Sequence, residues 1–281
     1  MLRVVLAALA LLVASPVFAQ PNAQDAFLGL GWQNGPLHGD LGGIAAIDVP
    51  AGYQFVGSRS AQKFMELTHN PSDGDEVGVL LHSDRPHWFV VFSFRPEGYV
   101  KDDDRKLDAD AILKSIRKGT EDANSIRAKR GWSPMEILGW QEAPYYDSHT
   151  NNHTWSIRGQ SDGGEVINHS TRLLGRRGVM HVDLVLGPQA VDEALPKFND
   201  LVQGFAFNPG GRYAEFTHGD KVAEYGLAGL IVGGTGAALI KTGLLQKFWK
   251  LIVVGFLALV SAIRRMFGGG ETATVERPSH V

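Results

Sequence analysis

Short apolar runs rich in residues that favour strands recur through the middle of the chain, and some of them alternate with polar residues, which predicts a domain built largely from β-strands. The apolar runs are separated by glycine, proline, asparagine and aspartate, which are typical of turns. Hairpin turns such as 160–164 and 175–178, rather than helical crossovers, join the strands, which favours antiparallel pairing. Strands are predicted at residues 44–49, 53–56, 77–81, 88–94, 136–140, 166–174, 179–186 and 205–207, with a further extended stretch up to residue 157 that is broken at 147–152.

The strand at 88–94 is predicted to lie near the middle of the sheet. Phe89 and Val91 face away from Val90 and Phe92, so both faces of this strand are apolar. Such strands are typical of positions that are covered on both sides. The strand at 179–186 has one face that is more apolar, and we expect that face to point into the core: Met180, Val182, Leu184 and Leu186.

Three soluble helices are predicted from apolar residues at helical spacing. The first follows Ser58, the second lies within residues 101–130, and the third ends at Gly204. Asp108 is the expected N-cap of the second helix, and Gly131 ends it. Strands interrupted by about three helices predict an α+β fold with a largely antiparallel sheet. The charges also suit the dipole of the second helix, with Asp102, Asp103, Asp104 and Asp110 near its start and Arg127, Lys129 and Arg130 near its end.

The longest hydrophobic region lies near the C-terminus, where apolar stretches at 225–240 and 251–263 flank a short basic link. A single helix over all 39 residues would be about 58 Å long, whereas the hydrocarbon core of a bilayer is about 30 Å thick. Two short helices fit this thickness better, so we predict a transmembrane helical hairpin within residues 223–267. The alternative is a single span with the first stretch lying in the membrane interface.

Small residues at helical spacing would let the two helices of this hairpin pack closely. Gly229 and Gly233 form a GxxxG step, a spacing that allows two helix backbones to approach in lipid. The same face suits self-association, and small residues are also common in membrane helices in general. The predicted helix-packing residues are Gly229, Gly233, Gly236, Gly255, Ala258 and Ala262. The basic link is expected on the cytoplasmic side, with Lys241, Lys247 and Lys250.

The N-terminal end has the pattern of a secretory signal. Arg3 precedes an apolar run at 4–13, and small residues follow up to Ala19, after which we expect cleavage. An uncleaved anchor is the alternative, but a run of about 10 apolar residues is short for a spanning helix. The predicted organisation is a signal peptide at 1–19, an exported soluble domain at 20–222, a membrane anchor at 223–267 and a flexible tail at 268–281.

Charge is distributed unevenly along the chain. Of the net charge of −3, Arg3 contributes +1, residues 223–267 contribute +4 and residues 268–281 contribute −1, which leaves −7 for residues 20–222. An acidic domain has no electrostatic footprint for nucleic acid, and we predict no such partner. The chain contains no cysteine, so disulfides, thiolate chemistry and cysteine-bound metals are excluded.

Two short motifs are compatible with chemistry but are explained more simply by structure. Residues 159–163 match the G-x-S-x-G pattern of serine hydrolases around Ser161, yet strands flank the motif on both sides, which favours a polar hairpin turn. His149 and His153 have the spacing of helical metal ligands, but on a strand they would lie about 13 Å apart. We interpret them as loop histidines, and we predict neither a bound metal nor another cofactor.

Two clusters of charge have similar alternatives. The acidic run that begins at Asp102 lacks the 12-residue calcium-loop pattern, and the electrostatics of a helix N-terminus explain it more simply. Arg172, Arg176 and Arg177 have the chemistry to bind a phosphate or carboxylate at a hairpin tip, with solvated turn charges as the simpler interpretation.

Several local motifs occur in the order found in a known family. These motifs are Trp32, VPAGYQF at 49–55, GYVKDD at 98–103, LGW at 138–140, LGRRG at 174–178, GRYA at 211–214, YGLAGL at 225–230 and KTGL at 241–244. The chain therefore resembles the bacterial family of uncharacterised membrane-anchored proteins built on a domain of unknown function. The resemblance covers nearly all of the mature chain, and it implies location and architecture only, with no catalytic residues to carry over.

The function favoured by the sequence is an interaction or structural module rather than an enzyme. We expect it in the bacterial inner membrane with its soluble domain in the periplasm, so its partners would be the lipid bilayer and envelope proteins. Such a module should expose an aromatic or apolar patch, with Trp32, Trp88 and Tyr99 as candidates. The alternative is an envelope enzyme, such as a hydrolase, in which His149, His153, Asp147 and Trp155 converge in a pocket with residues of another strand.

Overall fold

The computed structural model describes residues 21–83, 88–101, 107–147, 152–162 and 164–224, together with residues 226 and 231. Along these residues the chain forms four α-helices: α1 (Pro21–Leu28), α2 (Ser58–Leu67), α3 (Ala109–Lys129) and α4 (Val191–Gln203). The strands are β1 (Gln33–Asn34), β2 (Leu37–Leu41), β3 (Ala45–Val49), β4 (Tyr53–Gly57), β5 (Glu76–His82), β6 (Trp88–Arg95), β7 (Glu136–Asp147), β8 (Asn152–Ser161), β9 (Gly164–Leu174), β10 (Val179–Leu186) and β11 (Phe205–Phe207). The α+β class predicted from the sequence is confirmed.

Within the described ranges, the strands form one large and one small antiparallel sheet. Eight strands pair in the order β1-β4-β5-β6-β10-β9-β8-β7, and β11-β3-β2 form a separate three-stranded sheet. The predicted hairpins β5–β6, β8–β9 and β9–β10 all pair antiparallel. Strand β6 is fourth of the eight, which confirms the central position that its two apolar faces predicted.

Both faces of the large sheet are covered, and each cover encloses its own core cluster. On the face that we call the helix-side face, α2 and α3 pack against residues such as Val91 and Ile157. On the opposite face, which we call the small-sheet face, the small sheet and α4 pack against residues such as Val90 and Phe92. The face of β10 that was expected to point inward lies in this second cluster and is fully buried: Met180, Val182, Leu184 and Leu186.

Helix α3 begins and ends close to its predicted signals. Asp108 is its N-cap, because the side chain accepts a hydrogen bond of 3.0 Å from the Ala111 N–H. The helix begins at Ala109, directly after the predicted N-cap, and residues 102–106 of the predicted segment 101–130 lie outside the described residues. Of the basic residues near its end, Arg127 is buried, with only 2 % of it exposed.

Helix α1 is the element that the sequence analysis missed, and it raises the number of helices from about three to four. Its segment is short and mostly small or polar, so no helical stripe marks it. Tertiary contacts fix it instead. The Phe27 ring lies 5.1 Å from that of Trp32 and 6.2 Å from that of Phe64, and Trp32 Nε1 donates a hydrogen bond to the Phe27 carbonyl.

No helix in the part of the chain that the structure describes is long and apolar enough to cross a membrane. The predicted signal peptide at 1–19 lies outside the described residues. So do all six residues predicted to pack the hairpin: Gly229, Gly233, Gly236, Gly255, Ala258 and Ala262. Ile231 is described, and it is fully buried in the core cluster of the helix-side face. The structure thus places this residue of the first hydrophobic stretch against the domain.

Strand β7 forms one edge of the large sheet, and side chains of α3 occupy backbone groups along it. The Asn124 side chain accepts a hydrogen bond from the Met135 N–H and donates one to the Met135 carbonyl, each 2.8 Å long. Arg117 donates to the Leu138 carbonyl at 3.3 Å. An edge whose backbone groups are already paired is a poor template for another strand.

Candidate functional site

Three segments that are far apart in the sequence meet at the end of the described chain. They are residues 96–101 after β6, the β9–β10 turn at 175–178, and residues 211–224, and we call them together the C-terminal junction. The backbone hydrogen bonds that join them run from Gly98 to Arg177, from Tyr99 to Lys221, from Ala223 to Tyr99 and from Arg176 to Gly211, and they measure 2.8 to 3.1 Å. The segments contain three of the motifs that carried the family resemblance.

Gly98 makes the close approach of two of these segments possible. Its φ of +101° lies in the region that favours glycine. A Cβ atom at this position would stand only 2.7 Å from the Lys221 carbonyl oxygen. Because the obstacle is backbone, it has little freedom to move away. The chain just before the hydrophobic region is therefore held against the domain by geometry as well as by hydrogen bonds.

One of the arginines at the tip of the β9–β10 hairpin, Arg176, binds a carboxylate of the protein itself. Arg176 donates two hydrogen bonds to Asp220, of 2.7 and 2.9 Å, and a third of 2.7 Å to Thr217 Oγ1. These contacts, chiefly the hydrogen bonds from Arg176, hold the pKa of Asp220 well below its usual range. Arg177 is exposed, as expected for a solvated turn charge, but Arg172 lies inside β9 and is 1 % exposed.

Aromatic rings gather on the surface of the C-terminal junction. The ring of Tyr99 lies 4.5 Å from that of Tyr213, stacked on it, and 4.1 Å from that of Phe216. Phe216 is 37 % exposed and Val222, which pairs with Tyr99 in a parallel bridge, is 38 % exposed. Of the three residues expected in an exposed patch, Tyr99 contributes to this surface.

The other two residues expected in a patch are placed differently. Trp88 is 4 % exposed, so the expectation for this residue was wrong. Trp32 is half-buried in the contacts with α1 and α2.

The C-terminal junction is also locally basic in an acidic domain. Up to residue 222 its segments carry a net charge of +2, so the remainder of residues 20–222 carries −9. Its acidic residues are largely engaged, since Asp220 pairs with Arg176 and Glu215 accepts a hydrogen bond from the Arg212 N–H. The exposed basic side chains are Lys101, Arg177, Arg212 and Lys221.

A buried polar cluster lies on the helix-side face of β8, β9 and β10, close to the point where these strands reach the C-terminal junction. His153, Arg172 and His181 are in register across the three strands. Arg172 donates a hydrogen bond of 2.9 Å to Asp183, and its guanidinium lies 4.6 Å from the centre of the Trp155 ring. We call these five residues, with Ser170, the buried polar cluster.

Several side-chain atoms of the buried polar cluster have no hydrogen-bond partner within the described chain. They are both ring nitrogens of His153, Trp155 Nε1, Arg172 Nε and His181 Nε2. Burial, with the charge of Arg172 nearby, lowers the pKa of His153 to about 3 and that of His181 well below its usual value. Both histidines are therefore neutral at pH 7.

The interpretation of His153 as a loop histidine was wrong, because it lies within β8 and is fully buried. His149 lies outside the described residues. The enzyme alternative required His153 and Trp155 to meet residues of another strand, and they do meet Arg172. None of the three cavities described below is lined by them. Among the residues that the structure describes, no three His, Asp or Glu side chains are grouped to hold a metal.

A groove crosses the small-sheet face between α4 and the strands β7 to β9. It consists of a cavity of about 670 Å³ and a neighbouring one of about 270 Å³, which share Glu142 and Leu195 in their linings. Its exposed polar side chains include Asn199 and Gln203 of α4. The only charged residue in the larger lining is Glu142, because burial lowers the pKa of His169 to about 4.

The floor of this groove contains one pair of side chains with catalytic chemistry. Ser156 Oγ lies 2.7 Å from His169 Nδ1, and the two residues are opposite each other on β8 and β9. Glu142 Oε2 approaches the same nitrogen at 4.0 Å, so it does not occupy the third position of a Ser-His-acid triad, which lies at the other ring nitrogen. Ser156 is only 2 % exposed.

The largest of the three cavities, about 930 Å³, lies between α3 and the turn that joins β8 to β9. Ser161 of the G-x-S-x-G match lines it, and strands flank the motif as predicted. Among the described residues of the lining there is no histidine, and the titratable acids are Glu121, Glu136 and Asp162, so a Ser-His pair is not formed here.

Sequence reasoning missed the buried polar cluster, although a signal for it was present. Arg172 and Ser170 on β9, and His181 and Asp183 on β10, alternate with apolar or small residues, which places each pair on one face. From the sequence, only the Met180 face of β10 was expected to point into the core. The structure buries polar side chains on the other face as well, with Arg172 1 % exposed and His153 fully buried.

Comparison with known proteins identifies the family. A family model described as a protein of unknown function (DUF2167) matches residues 33–264, so the chain belongs to this family. A search of the curated proteins finds no match.

The solved structures that match this chain are distant from it in sequence. Cyanobacterial PsbP (CyanoP) from Synechocystis matches with 13 % identity and a TM-score of 0.37, over 60 % of this chain and 89 % of that one. A Bacteroides thetaiotaomicron protein has 9 % identity and a TM-score of 0.29, over 58 % and 45 % of the chains. A Pseudomonas aeruginosa protein of unknown function has 11 % identity and a TM-score of 0.27, over 63 % and 98 %.

Proposed function

We propose that this member of the DUF2167 family is a membrane-attached interaction module of the bacterial envelope. In this proposal, residues 20–222 form the domain outside the cytoplasm and residues 223–267 attach it to the inner membrane. The observation that carries the proposal is the C-terminal junction, which fixes residues 211–224 to the domain immediately before a long apolar region. Because this part of the chain is hydrogen-bonded to the domain, the point at which the chain meets the bilayer would also fix the position of the domain relative to the membrane.

The finer proposal is that the attachment consists of two short helices that pack through Gly229, Gly233, Gly236, Gly255, Ala258 and Ala262. The basic link would then lie in the cytoplasm, and Arg264 and Arg265 would lie outside, against the positive-inside tendency. The single-span alternative places Arg264 and Arg265 in the cytoplasm. The burial of Ile231 against the domain favours this alternative, because a first stretch that packs on the domain does not span the bilayer.

Interaction, rather than catalysis, is the activity we propose for the domain. The groove beside α4 has a volume in the range of small-ligand sites, and neutral amides, hydroxyls and aromatic rings line most of it. Such a lining can hold an uncharged partner segment by hydrogen bonds and apolar contact.

The experiment that tests attachment is fractionation of cells that express the full chain or a chain ending at residue 222. We expect the full chain in the membrane pellet after washes with high salt and carbonate, and the shortened chain in the soluble periplasmic fraction. Release of the full chain by salt would contradict the proposal. Alkaline phosphatase fused after residue 267 then reads the topology: activity supports two spans, and inactivity supports one.

The second candidate function is a hydrolase that uses the Ser156–His169 pair, because a serine within 2.7 Å of a neutral histidine is the minimal arrangement for an activated nucleophile. The structure gives this candidate little support, since Ser156 is almost fully buried and Glu142 lies at the wrong ring nitrogen.

We expect a fluorophosphonate probe to leave the folded protein unlabelled, because a nucleophile must reach its substrate. The measurement is mass spectrometry of the full chain after incubation, with Ser156→Ala as the matched control. Labelling that disappears in Ser156→Ala would show that the serine is reactive and would overturn the assignment as a non-enzyme.

A further inference from the structure

We infer that the exposed face of the C-terminal junction is a lipid-contact surface, on which Phe216, Val222 and the Tyr99–Tyr213 stack meet the bilayer interface and the neighbouring basic side chains meet anionic headgroups. The inference rests on the proposed function and deepens it. It assigns an orientation to the domain as well as an attachment.

The first argument is distance along the chain. Val222 lies three residues before position 225, where the apolar stretch begins. Three residues span at most about 10 Å even when fully extended. Tyr99 pairs with Val222, and its ring lies on those of Tyr213 and Phe216. The inference requires that the first apolar stretch enter lipid, so that Ile231 leaves the helix-side core cluster in which the structure buries it. All of these residues are then close to the interface.

The second argument is the chemistry of the surface. Tyrosine suits the headgroup level of a membrane, because its ring is apolar and its hydroxyl remains wet. Phe216 and Val222 belong to a small set of large apolar side chains that are well exposed in the described chain, with Leu28, Ile126 and Tyr145. Two of these five thus lie within the last nine described residues before the apolar region.

The third argument is charge. Residues 20–222 carry −7 overall, and anionic headgroups would repel such a domain. The C-terminal junction is locally basic, because its segments carry +2 up to residue 222, or +1 with Glu224, and their exposed side chains include Lys101, Arg177, Arg212 and Lys221. Basic residues beside a membrane-inserted segment are attracted to anionic lipid within about a Debye length.

The absence of cysteine makes a direct test possible, since every introduced cysteine is unique. Single-cysteine variants Phe216→Cys and Val222→Cys of the full chain would carry a spin label. Ile126→Cys on α3 is the matched control, because Ile126 is 39 % exposed and Phe216 is 37 % exposed. Power saturation then compares collision of the label with oxygen, which partitions into lipid, and with a water-soluble nickel complex.

The protein would be reconstituted in nanodiscs of phosphatidylglycerol and phosphatidylcholine. We expect the collision rate with the nickel complex to be lower by about threefold or more for the labels at 216 and 222 than for the label at 126. Such a decrease corresponds to partial burial in the headgroup region. In a second set, Arg177→Glu should weaken this protection in anionic discs and leave it unchanged in pure phosphatidylcholine. Arg59→Glu, an exposed arginine on α2, should change neither.

The two proposals fail in different ways. If the full chain does not enter nanodiscs at all, the proposed attachment is wrong. If it enters them and the labels at 216 and 222 match the label at 126, the lipid-contact surface is wrong and the attachment stands. An Ile231→Cys label that remains inaccessible to oxygen, together with solvent-exposed labels at 216 and 222, would also overturn the inference, because the first stretch would then pack on the domain.

Discussion

Replacement of Asp183 by leucine is expected to lower the free energy of unfolding by about 3–5 kcal/mol. The reason is that Arg172 is 1 % exposed and Asp183 is the carboxylate in contact with it, at 2.9 Å. Without Asp183 the guanidinium would stay buried without a counterion, and such a charge has a large desolvation cost. The measurement is denaturant unfolding of the full chain in detergent micelles, followed by tryptophan fluorescence.

Substitution of the other member of this ion pair, Arg172, is expected to lower the free energy of unfolding by less. Arg172→Met should cost about 2 kcal/mol or less, because the side chain of Asp183 is 21 % exposed and keeps its hydrogen bond of 2.6 Å from Ser170. The double variant should recover most of the loss, since an apolar pair needs no compensation. Lys197→Met, which breaks the exposed pair with Glu193, is the control and should cost about 0.5 kcal/mol or less. Equal losses for both single variants of the Arg172–Asp183 pair would contradict this asymmetry.

Acid is expected to destabilise the domain well above the pH at which ordinary carboxylates titrate. Burial lowers the pKa of His153 to about 3, that of His169 to about 4 and that of His181 well below its usual value. Below about pH 6.5 the unfolded chain binds protons that these neutral, buried rings do not, so stability falls as pH falls. Each such histidine contributes a slope of about 1.4 kcal/mol per pH unit between its unfolded and folded pKa values.

Two carboxyl groups act in the opposite direction. Burial raises the pKa of Asp75 to about 6, against the effect of Arg95, and it also raises the pKa of Glu97. Between about pH 6 and 4 the folded protein binds protons at Asp75 more readily than the unfolded chain does, which offsets roughly one histidine. The net slope should therefore be about 1–3 kcal/mol per pH unit, which amounts to a loss of about 2–6 kcal/mol between pH 6.5 and 4.5, a large part of the stability of an ordinary domain.

The test is a series of unfolding curves from pH 7.5 to 4.5 on the wild type and two variants. His153→Phe should flatten the slope by about 1.4 kcal/mol per pH unit, because a phenyl ring can take the same place beside Trp155 without titrating. His218→Gln, at an exposed position, should leave the slope as it is. An unchanged slope in His153→Phe would contradict the prediction, because it would mean that His153 binds protons equally well in the folded and unfolded states.

The sheet was predictable from the sequence because its signals are local. The continuous apolar run of β6 and the alternation in β10 are set by burial on two faces and on one more apolar face, and each strand carries that information in its own residues. The small, polar segment of α1 carries none, since its place depends on Trp32 and Phe64. The start of α3 was predictable because Asp108 is a local N-cap signal that needs no distant partner.

The candidate site was less predictable for a related reason. Tyr99, Arg177 and Lys221 belong to segments more than 40 residues apart, and no local pattern says that their backbones will be hydrogen-bonded. The role of Arg176 depended on Asp220, which is equally distant in the sequence. A turn with two arginines has the same appearance whether its partner is water, a ligand or a carboxylate of its own chain.

Occupation of the β7 edge by Asn124 and Arg117 has a consequence for how copies of this protein behave when they are crowded. Proteins confined to a surface meet far more often than the same number of molecules in bulk, and an open sheet edge would turn some of those encounters into fibrous stacking. Here the N–H and carbonyl of Met135, just before β7, are bonded to an amide that takes the place of a neighbouring strand, and the Leu138 carbonyl is bonded to Arg117. A second copy that met this end of the edge would find these backbone groups already paired, which disfavours the growth of extended sheets from the start of β7.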